Sequence, residues 1–324
     1  MDQNNIMNNE LKSLTQLMLP KLEEEMRLIF MSNDSQSDPF YGMMQYHMGW
    51  LDASFQPTTV RKGKRIRPLL TMISCQAAGG DWIKAVPAAA AIEILHNFSL
   101  VHDDIEDASS TRRGRKTVWK IWGEAQAINS GDAMFALAHL VMTWLTNHDV
   151  PAETIVRAIR RFDETCFLLT QGQYYDMDFE TRADVRVEEY IKMIAGKTAV
   201  LIALCAELGP VIAGQDESII EHYAEFGLNL GMAFQVIDDI LGIGEEIESF
   251  LDGEFQDVID VFSFVQHIEY FRLESFAAAG FTFQTHIGEK LHFNHLLSFP
   301  FAGIAATAIY VEREVLGFKS PDVR

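Results

Sequence analysis

Cysteine is scarce here: Cys75, Cys166 and Cys205 are three widely spaced residues in a chain of 324. They form no CxxC and no Cys/His metal spacing, so they read as buried thiols in a reducing compartment and not as a disulfide scaffold or zinc site. Positive charge is also short. Lys and Arg number 26 against 46 Asp and Glu, a formal net charge of −20. That balance argues against nucleic acid or an anionic membrane as a general partner. No uninterrupted apolar run approaches the ~20 residues a membrane span needs. The first residues lack the apolar core of a signal peptide. The expectation is a cytoplasmic protein with no stable membrane insertion. Up to Leu241, strand-like alternation with hairpin signals is missing as well.

What remains is a helical pattern. Hydrophobic residues make up 48% and charged residues 22% of the chain, enough for one large domain or two small ones. Residues 1–31 predict an amphipathic helix broken in two at Pro20, and Ser32–Asp38 a polar loop. Phe40–Phe55 predicts a helix whose Met and aromatic stripe belongs to the core. Further helices are expected over Leu69–Ala78, from Ile83 or Val86 to Asp107, and over Gln126–Asn147, Pro151–Gln173 and Val187–Leu208. Gly196 in the last of these marks a kink or a close approach. Ser218–Leu241 is the next, with Ser218 and Glu221 at capping-box spacing. The body is all-α.

The chemistry concentrates at Asp103-Asp104-Ile105-Glu106-Asp107. Asp103 and Asp107 stand one helical turn apart on one face, with Asp104 beside them. Like charges at that spacing repel, so a cation is wanted opposite them. Hard oxygen donors suit Mg²⁺, which takes one or two carboxylates plus waters and phosphates. The alternative is a solvated acidic helix end. Two basic clusters run against the global charge. Arg61-Lys62-Gly63-Lys64-Arg65-Ile66-Arg67-Pro68 precedes a helix start, where cations and the helix dipole make an anion site. Thr111-Arg112-Arg113-Gly114-Arg115-Lys116 follows the acids directly. Carboxylates for Mg²⁺ beside arginines for phosphate oxygens are the two halves of a diphosphate clamp. A second aspartate pair, Asp238-Asp239, sits among apolar residues and follows Gln235; buried carboxylates need a partner or a metal.

Together these residues resemble the trans-isoprenyl diphosphate synthase (polyprenyl synthetase) family. The resemblance is carried by Gly63–Pro68, His96, the first aspartate motif with Arg112-Arg113-Gly114, Gly172-Gln173, Gly196-Lys197-Thr198 and Phe234-Gln235-Val236-Ile237-Asp238-Asp239, over roughly residues 60–243. One DDxxD means little, but the ordered set is specific. The resemblance implies a single domain over 1–324, a bundle of ten or more helices around a central cavity, working as a homodimer on isopentenyl diphosphate and an allylic diphosphate. It implies Mg²⁺, three ions per site, held by Asp103, Asp104, Asp107 and Asp238. Asp239 belongs to the same second motif. Arg112 would hold the allylic diphosphate; Lys64, Arg67, His96 and Arg113 would hold that of isopentenyl diphosphate. Lys197, Thr198 and Gln235 would line the reacting centre. Phe98, five residues before Asp103, would plug the growing chain at geranylgeranyl (C20) length, with farnesyl (C15) next; Ser99 is its neighbour. Phe98 as an ordinary core residue is compatible with that role.

The resemblance fades after Ile243. Gly242 stands where a third aspartate of the second motif would be, and the substrate-touching loop that follows in the family is not found. Residues 244–324 carry twelve of the chain's twenty-two phenylalanines and only five Lys or Arg, an atypical part of the same domain. Within it Phe262–Phe271 and Leu296–Val311 could be helices, while Phe281–His286 and Leu291–Leu297 stay ambiguous. A terpene-synthase-like relative that ionises an allylic diphosphate alone, or a weakly active or non-catalytic partner subunit, is the alternative to chain elongation. The Gly63–Pro68 segment, His96 and Arg113 favour elongation.

Overall fold

Apolar residues at helical spacing dominate the chain, and helices follow from them in the computed structural model. The structure describes residues 3–31, 35–58, 60, 63, 65–250, 282–284 and 290–292. The helices are α1 (Gln3–Ile29), α2 (Asp38–His47), α3 (Ile66–Ala77), α4 (Val86–Glu106), α5 (Val118–Trp122), α6 (Glu124–Met142), α7 (Ala152–Phe179), α8 (Val187–Ile194), α9 (Val200–Ile212) and α10 (Glu217–Phe250). Short strands β1 (Thr111–Arg112) and β2 (Arg115–Lys116) pair antiparallel, as do β3 (Thr282–Gln284) and β4 (Lys290–His292). The all-α expectation holds for the body of the chain. The ambiguous 281–286 and 291–297 stretches contribute the small β3–β4 hairpin.

Two compact units divide the chain. The first comprises Asn9–Cys166 and Leu204–Ala224; the second comprises Met1–Asn8, Phe167–Ala203 and Glu225–Arg324. The first unit's centre is α4, whose run Val86–Leu95 is buried throughout. Small side chains let neighbours come close: a Cβ on Gly131 of α6 would lie 2.2 Å from the His102 ring. Gly209 of α9 likewise abuts the α3 backbone, where a Cβ would fall 2.3 Å from the Cys75 nitrogen. All three cysteines are buried and free, as their spacing implied. The second unit's core gathers Ile191, Met193, Ile194, Ala199 and Met232, flanked by Tyr175, Phe179 and Tyr190.

An ion network fixes the entry to α3. Arg65 is 5% exposed and adopts a left-handed backbone conformation, φ 54°, at the N-cap. Its Nη1 donates to Glu93 on α4 and its Nε to Glu23 on α1 at 3.3 Å. Asn97 donates to the Glu93 carboxylate at 2.9 Å, and the Trp50 indole to Glu23 at 3.1 Å.

Several boundaries differ from the sequence reading. Helix α1 runs unbroken through Pro20. The ring is exposed, and Met18, Leu22 and Met26 are fully buried at four-residue steps, so packing outweighs the lost hydrogen bond. Helix α2 stops at His47, short of Phe55; Gly49 turns the chain at φ 82° and Leu51 bridges to Pro57. The Val187–Leu208 helix is interrupted by a π-turn over Ala195–Ala199, the break Gly196 announced. Helix α10 begins at Glu217, with Asp216 accepting from the first free N–H groups. Ser218 is therefore inside the helix and caps nothing. Residues 32–34 of the expected loop, and the helices expected over 262–271 and 296–311, lie outside the described residues.

Removing one partner of a buried ion pair strands the other charge, at a cost of about 3–5 kcal/mol. Glu93→Ala should therefore lower unfolding free energy by about that amount. Urea denaturation measures it, and an unchanged midpoint would show that Arg65 is neutralised in some other way.

Candidate active site

The first aspartate motif occupies the last turn of α4. Asp103 and Asp104 are helical and Asp107 is the C-cap, its N–H donating to the Asp103 carbonyl at 2.9 Å. Four acids, with Glu106, thus crowd the end of a helix where the dipole is already negative. That position disfavours carboxylates, so only nearby positive charge makes the arrangement stable. Asp104 is 1% exposed. Its Oδ1 accepts from Arg112 Nε at 2.7 Å, while Oδ2 is buried with no hydrogen-bond partner among the described residues. Burial pushes the Asp104 carboxyl up, against the pull of Arg112. Asp103 is half-buried and Asp107 exposed.

Among the described residues no three His, Cys, Asp or Glu side chains gather around one point as a closed metal cage. Magnesium does not require one; one or two carboxylates suffice where phosphate completes its shell. The open Oδ2 of Asp104, flanked in sequence by Asp103 and Asp107, fits that kind of ligation.

Opposing charge comes from the β1–β2 hairpin that follows α4. Arg113 and Gly114 form its two-residue turn with φ 53° and 76°, the positive-φ pair of a type I′ turn. Thr117 and the Trp119 indole both donate to the Ser109 carbonyl, at 3.0 and 2.8 Å, and hold the hairpin against the end of α4. A second clasp ties it to α2. Arg115 donates to the carbonyls of Tyr46 and Leu51 at 3.2 and 2.7 Å, and its guanidinium lies 3.8 Å from the Tyr46 ring centre. The Tyr46 hydroxyl returns a bond to the Lys116 carbonyl at 2.7 Å.

Between these elements is a small cavity lined by Tyr46, His47, Asp104, Arg112, Arg113 and Arg115, among others. Nearby, Arg67 Nη1 lies 3.3 Å from His96 Nε2, and Arg67 Nε is buried without a partner among the described residues. A Cβ on Gly63 would sit 3.3 Å from Arg113. Burial and the surrounding guanidiniums hold both histidines well below the ordinary imidazole range, His47 at about 3. Both are therefore neutral. Arg112 and Arg113 act on both Asp104 and the His96 ring, and Arg67 adjoins His96. Arg65, part of the same sequence cluster, is turned inward and spent on Glu23 and Glu93. Lys64 lies outside the described residues.

Phe98 faces α6, not solvent. Its ring centre is 4.9 Å from Phe135 and 4.8 Å from His102, and the stack continues through His139 to Phe162. Ser99 spends its hydroxyl on the His96 carbonyl at 2.9 Å.

The second motif belongs to the second unit. Asp238 is exposed, which corrects its expected burial. Asp239 is half-buried and tied at both oxygens: Gln235 Nε2 donates to Oδ1 at 2.7 Å and the Tyr190 hydroxyl donates to Oδ2. Thr198 in turn donates to Gln235 Oε1 at 2.7 Å. Three predicted residues, Thr198, Gln235 and Asp239, thus form one chain of bonds, and Tyr190 is a fourth member the sequence reading missed. Of the pair, Asp238 is left for a ligand. Lys197 pairs with Asp176. The π-turn that carries Lys197 and Thr198 exists beside Gly172, where a Cβ would fall 2.1 Å from the Lys197 nitrogen. Such turns recur at functional sites. His47 and Tyr46 were also missed, and Arg115 was marked only as a member of its basic cluster. The signal for His47 was a histidine at the end of an otherwise apolar Met and aromatic stripe.

Comparison with known proteins agrees with these features. Residues 48–260 match the Polyprenyl synthetase family model. The chain is 43% identical over 201 residues to a (2E,6E)-farnesyl diphosphate synthase of Mycobacterium tuberculosis, covering 62% of this chain and 55% of that one. It is 46% identical over 198 residues to a geranylgeranyl diphosphate synthase of Saccharolobus solfataricus, covering 61% and 59%. The match thus spans little more than half the length of these curated relatives. Among solved structures, a polyprenyl synthetase of Streptomyces coelicolor superposes with a TM-score of 0.64 at 37% identity, over 72% of this chain and 66% of that one. A geranylgeranyl pyrophosphate synthetase of Pyrococcus horikoshii gives 0.64 at 33% identity, over 72% and 67%. With the family model covering well over half of its residues, the chain belongs to the polyprenyl synthetase family.

Proposed function

We propose that the chain is a magnesium-dependent prenyltransferase that condenses isopentenyl diphosphate with an allylic diphosphate to a short-chain product, C20 first and C15 next. One observation carries this reading: Asp104, in the carboxylate motif at the negative end of α4, shares a cavity with Arg112 and Arg113. Acids alone would repel there, and arginines alone would only bind an anion. A metal–diphosphate pair satisfies both.

Asp103, Asp104 and Asp107 would hold magnesium in the first motif, and Asp238 in the second. The bound ion would neutralise diphosphate charge so that the group can leave. Arg112 would hold the allylic diphosphate, and its tie to Asp104 keeps it beside the first motif. Lys64, Arg67, His96 and Arg113 hold the isopentenyl diphosphate. A neutral His96 serves there as a hydrogen-bond partner without adding a repelling cation next to Arg67. Once the allylic bond ionises, the isopentenyl double bond attacks the cation and a proton is lost to the released diphosphate. Lys197, Thr198 and Gln235 steady the charge through fixed dipoles; the Thr198–Gln235–Asp239 bonds pre-orient them. Phe98, backed by Phe135, limits chain length. The chain from 1 to 324 acts as one catalytic domain, in the cytoplasm and as a homodimer. Among the described residues no helix is long and apolar enough to cross a membrane.

Purified protein with Mg²⁺, an allylic diphosphate and labelled isopentenyl diphosphate should yield labelled C20 or C15 product. Product formed from the allylic substrate alone would overturn elongation in favour of a cyclase-like relative. Asp103→Ala should lower turnover by orders of magnitude; a near-normal rate in that variant refutes the metal assignment.

The cavity also sets a pH dependence. His47 stays neutral in the folded chain down to about 3, against an ordinary value of 6.5. Between those values the unfolded chain binds the extra proton, so stability falls as pH drops from about 6.5 toward 3. Thermal melts of ligand-free protein should show that fall, and His47→Gln should make it shallower. Identical slopes for the two proteins would contradict a neutral His47.

A further inference from the structure

We propose that His47 is a further diphosphate-binding residue, donating a hydrogen bond from Nε2 to a phosphate oxygen held in the cavity beside Arg112 and Arg113. The inference rests on the reading of that cavity as a diphosphate site.

His47 is the last residue of α2 and lines the cavity wall facing the β1–β2 turn. Its Nε2 is buried and has no hydrogen-bond partner among the described residues. Such an atom normally finds a partner, because leaving it unmade costs free energy. The charged neighbours that act on the ring are Arg113, Arg112, Arg65 and Arg115. Every one is a donor. An unprotonated Nε2 would be an acceptor among guanidiniums and would take one of their N–H groups, yet it takes none. The proton is therefore assigned to Nε2, since the guanidiniums beside the ring can only donate. The acceptor it lacks has to come from outside, and Arg112, Arg113 and Arg115, which line the cavity with it, favour an anion in that place. Asp104 lines the same cavity with its Oδ1 engaged by Arg112, and its unpartnered Oδ2 makes no hydrogen bond to His47.

The wall around His47 is fixed in advance. Tyr46, the preceding residue, is locked to the hairpin by its own hydroxyl and by Arg115. The ring of Trp122 packs edge-on against Tyr46 at 5.1 Å and stacks on Phe55 at 5.5 Å. Beyond His47, Met48 and Trp50 are buried. The imidazole is therefore held at the cavity by structure on both sides, and it adds a directed donor where a fifth cation would be repelled. The arginines of the cavity fix charge but leave the anion free to slide; a neutral donor at one side sets its register.

Calorimetric titration with inorganic pyrophosphate tests the assignment on the full chain. The unsubstituted protein should bind. His47→Leu should bind about tenfold more weakly, and His47→Gln, whose amide N–H reaches the position of Nε2, should recover most of the loss. Leu binding as tightly as the original would overturn the role of His47 while leaving the cavity's function intact. Gln binding as weakly as Leu would show that the ring only packs, and would overturn the donor role. No pyrophosphate binding by the unsubstituted protein would overturn the diphosphate reading itself. A measurement free of folding effects in the leucine variant uses the ¹⁵Nε2 resonance of His47 in the original protein, assigned by its loss in His47→Gln. It should move on adding pyrophosphate and stay in place with equal sodium chloride; no movement at saturation would refute the contact.

Discussion

The buried guanidinium of Arg65 governs how the rest of the first unit is arranged. A charge that is 5% exposed needs acids on both sides, and Glu23 of α1 and Glu93 of α4 supply them. That requirement draws together three helices distant in sequence and fixes the direction in which α3 leaves its loop. Arg67, two residues on, is then delivered to His96. The left-handed backbone at Arg65 is the local strain accepted for this geometry. Sequence spacing marked a cationic cluster here but could not divide it into one structural and one ligand-facing arginine. That division depends on Glu23 and Glu93, forty-two and twenty-eight positions away.

The same logic runs through the acidic motif. Carboxylates at a helix C-terminus oppose the dipole, so their presence on the last turn of α4 reflects chemistry, not helix stability. The hairpin after the helix supplies the compensating arginine, and the I′ turn at Arg113-Gly114 places the next one. Here the sequence was informative because acids and bases are adjacent along the chain: Asp104 meets Arg112 over eight residues. The clasp from Tyr46 to Lys116, seventy residues apart, was not legible. Neither was His47, which periodicity hid in an apolar stripe.

Helix existence was readable from apolar spacing, and the π-turn from one glycine in an otherwise apolar run. Helix ends were less so. Pro20 did not break α1 because buried Met18, Leu22 and Met26 hold the two halves in one line, a tertiary fact that a local rule about proline cannot contain. Ser218 matched a cap pattern, yet Asp216 begins the turn. In the second unit Gln235 and Asp239 were recognised by their four-residue spacing, whereas Tyr190 comes from another helix and emerged only with the fold.

The clasp of Arg115 on Tyr46 and Leu51 has one more implication. It bonds the hairpin to α2 through Tyr46, Leu51 and Lys116, so the arginine-bearing wall is braced from two sides, which lowers the ordering cost of capturing a guest there. In a chain of net charge −20, such a local positive hollow would focus field lines and draw small polyanions toward it.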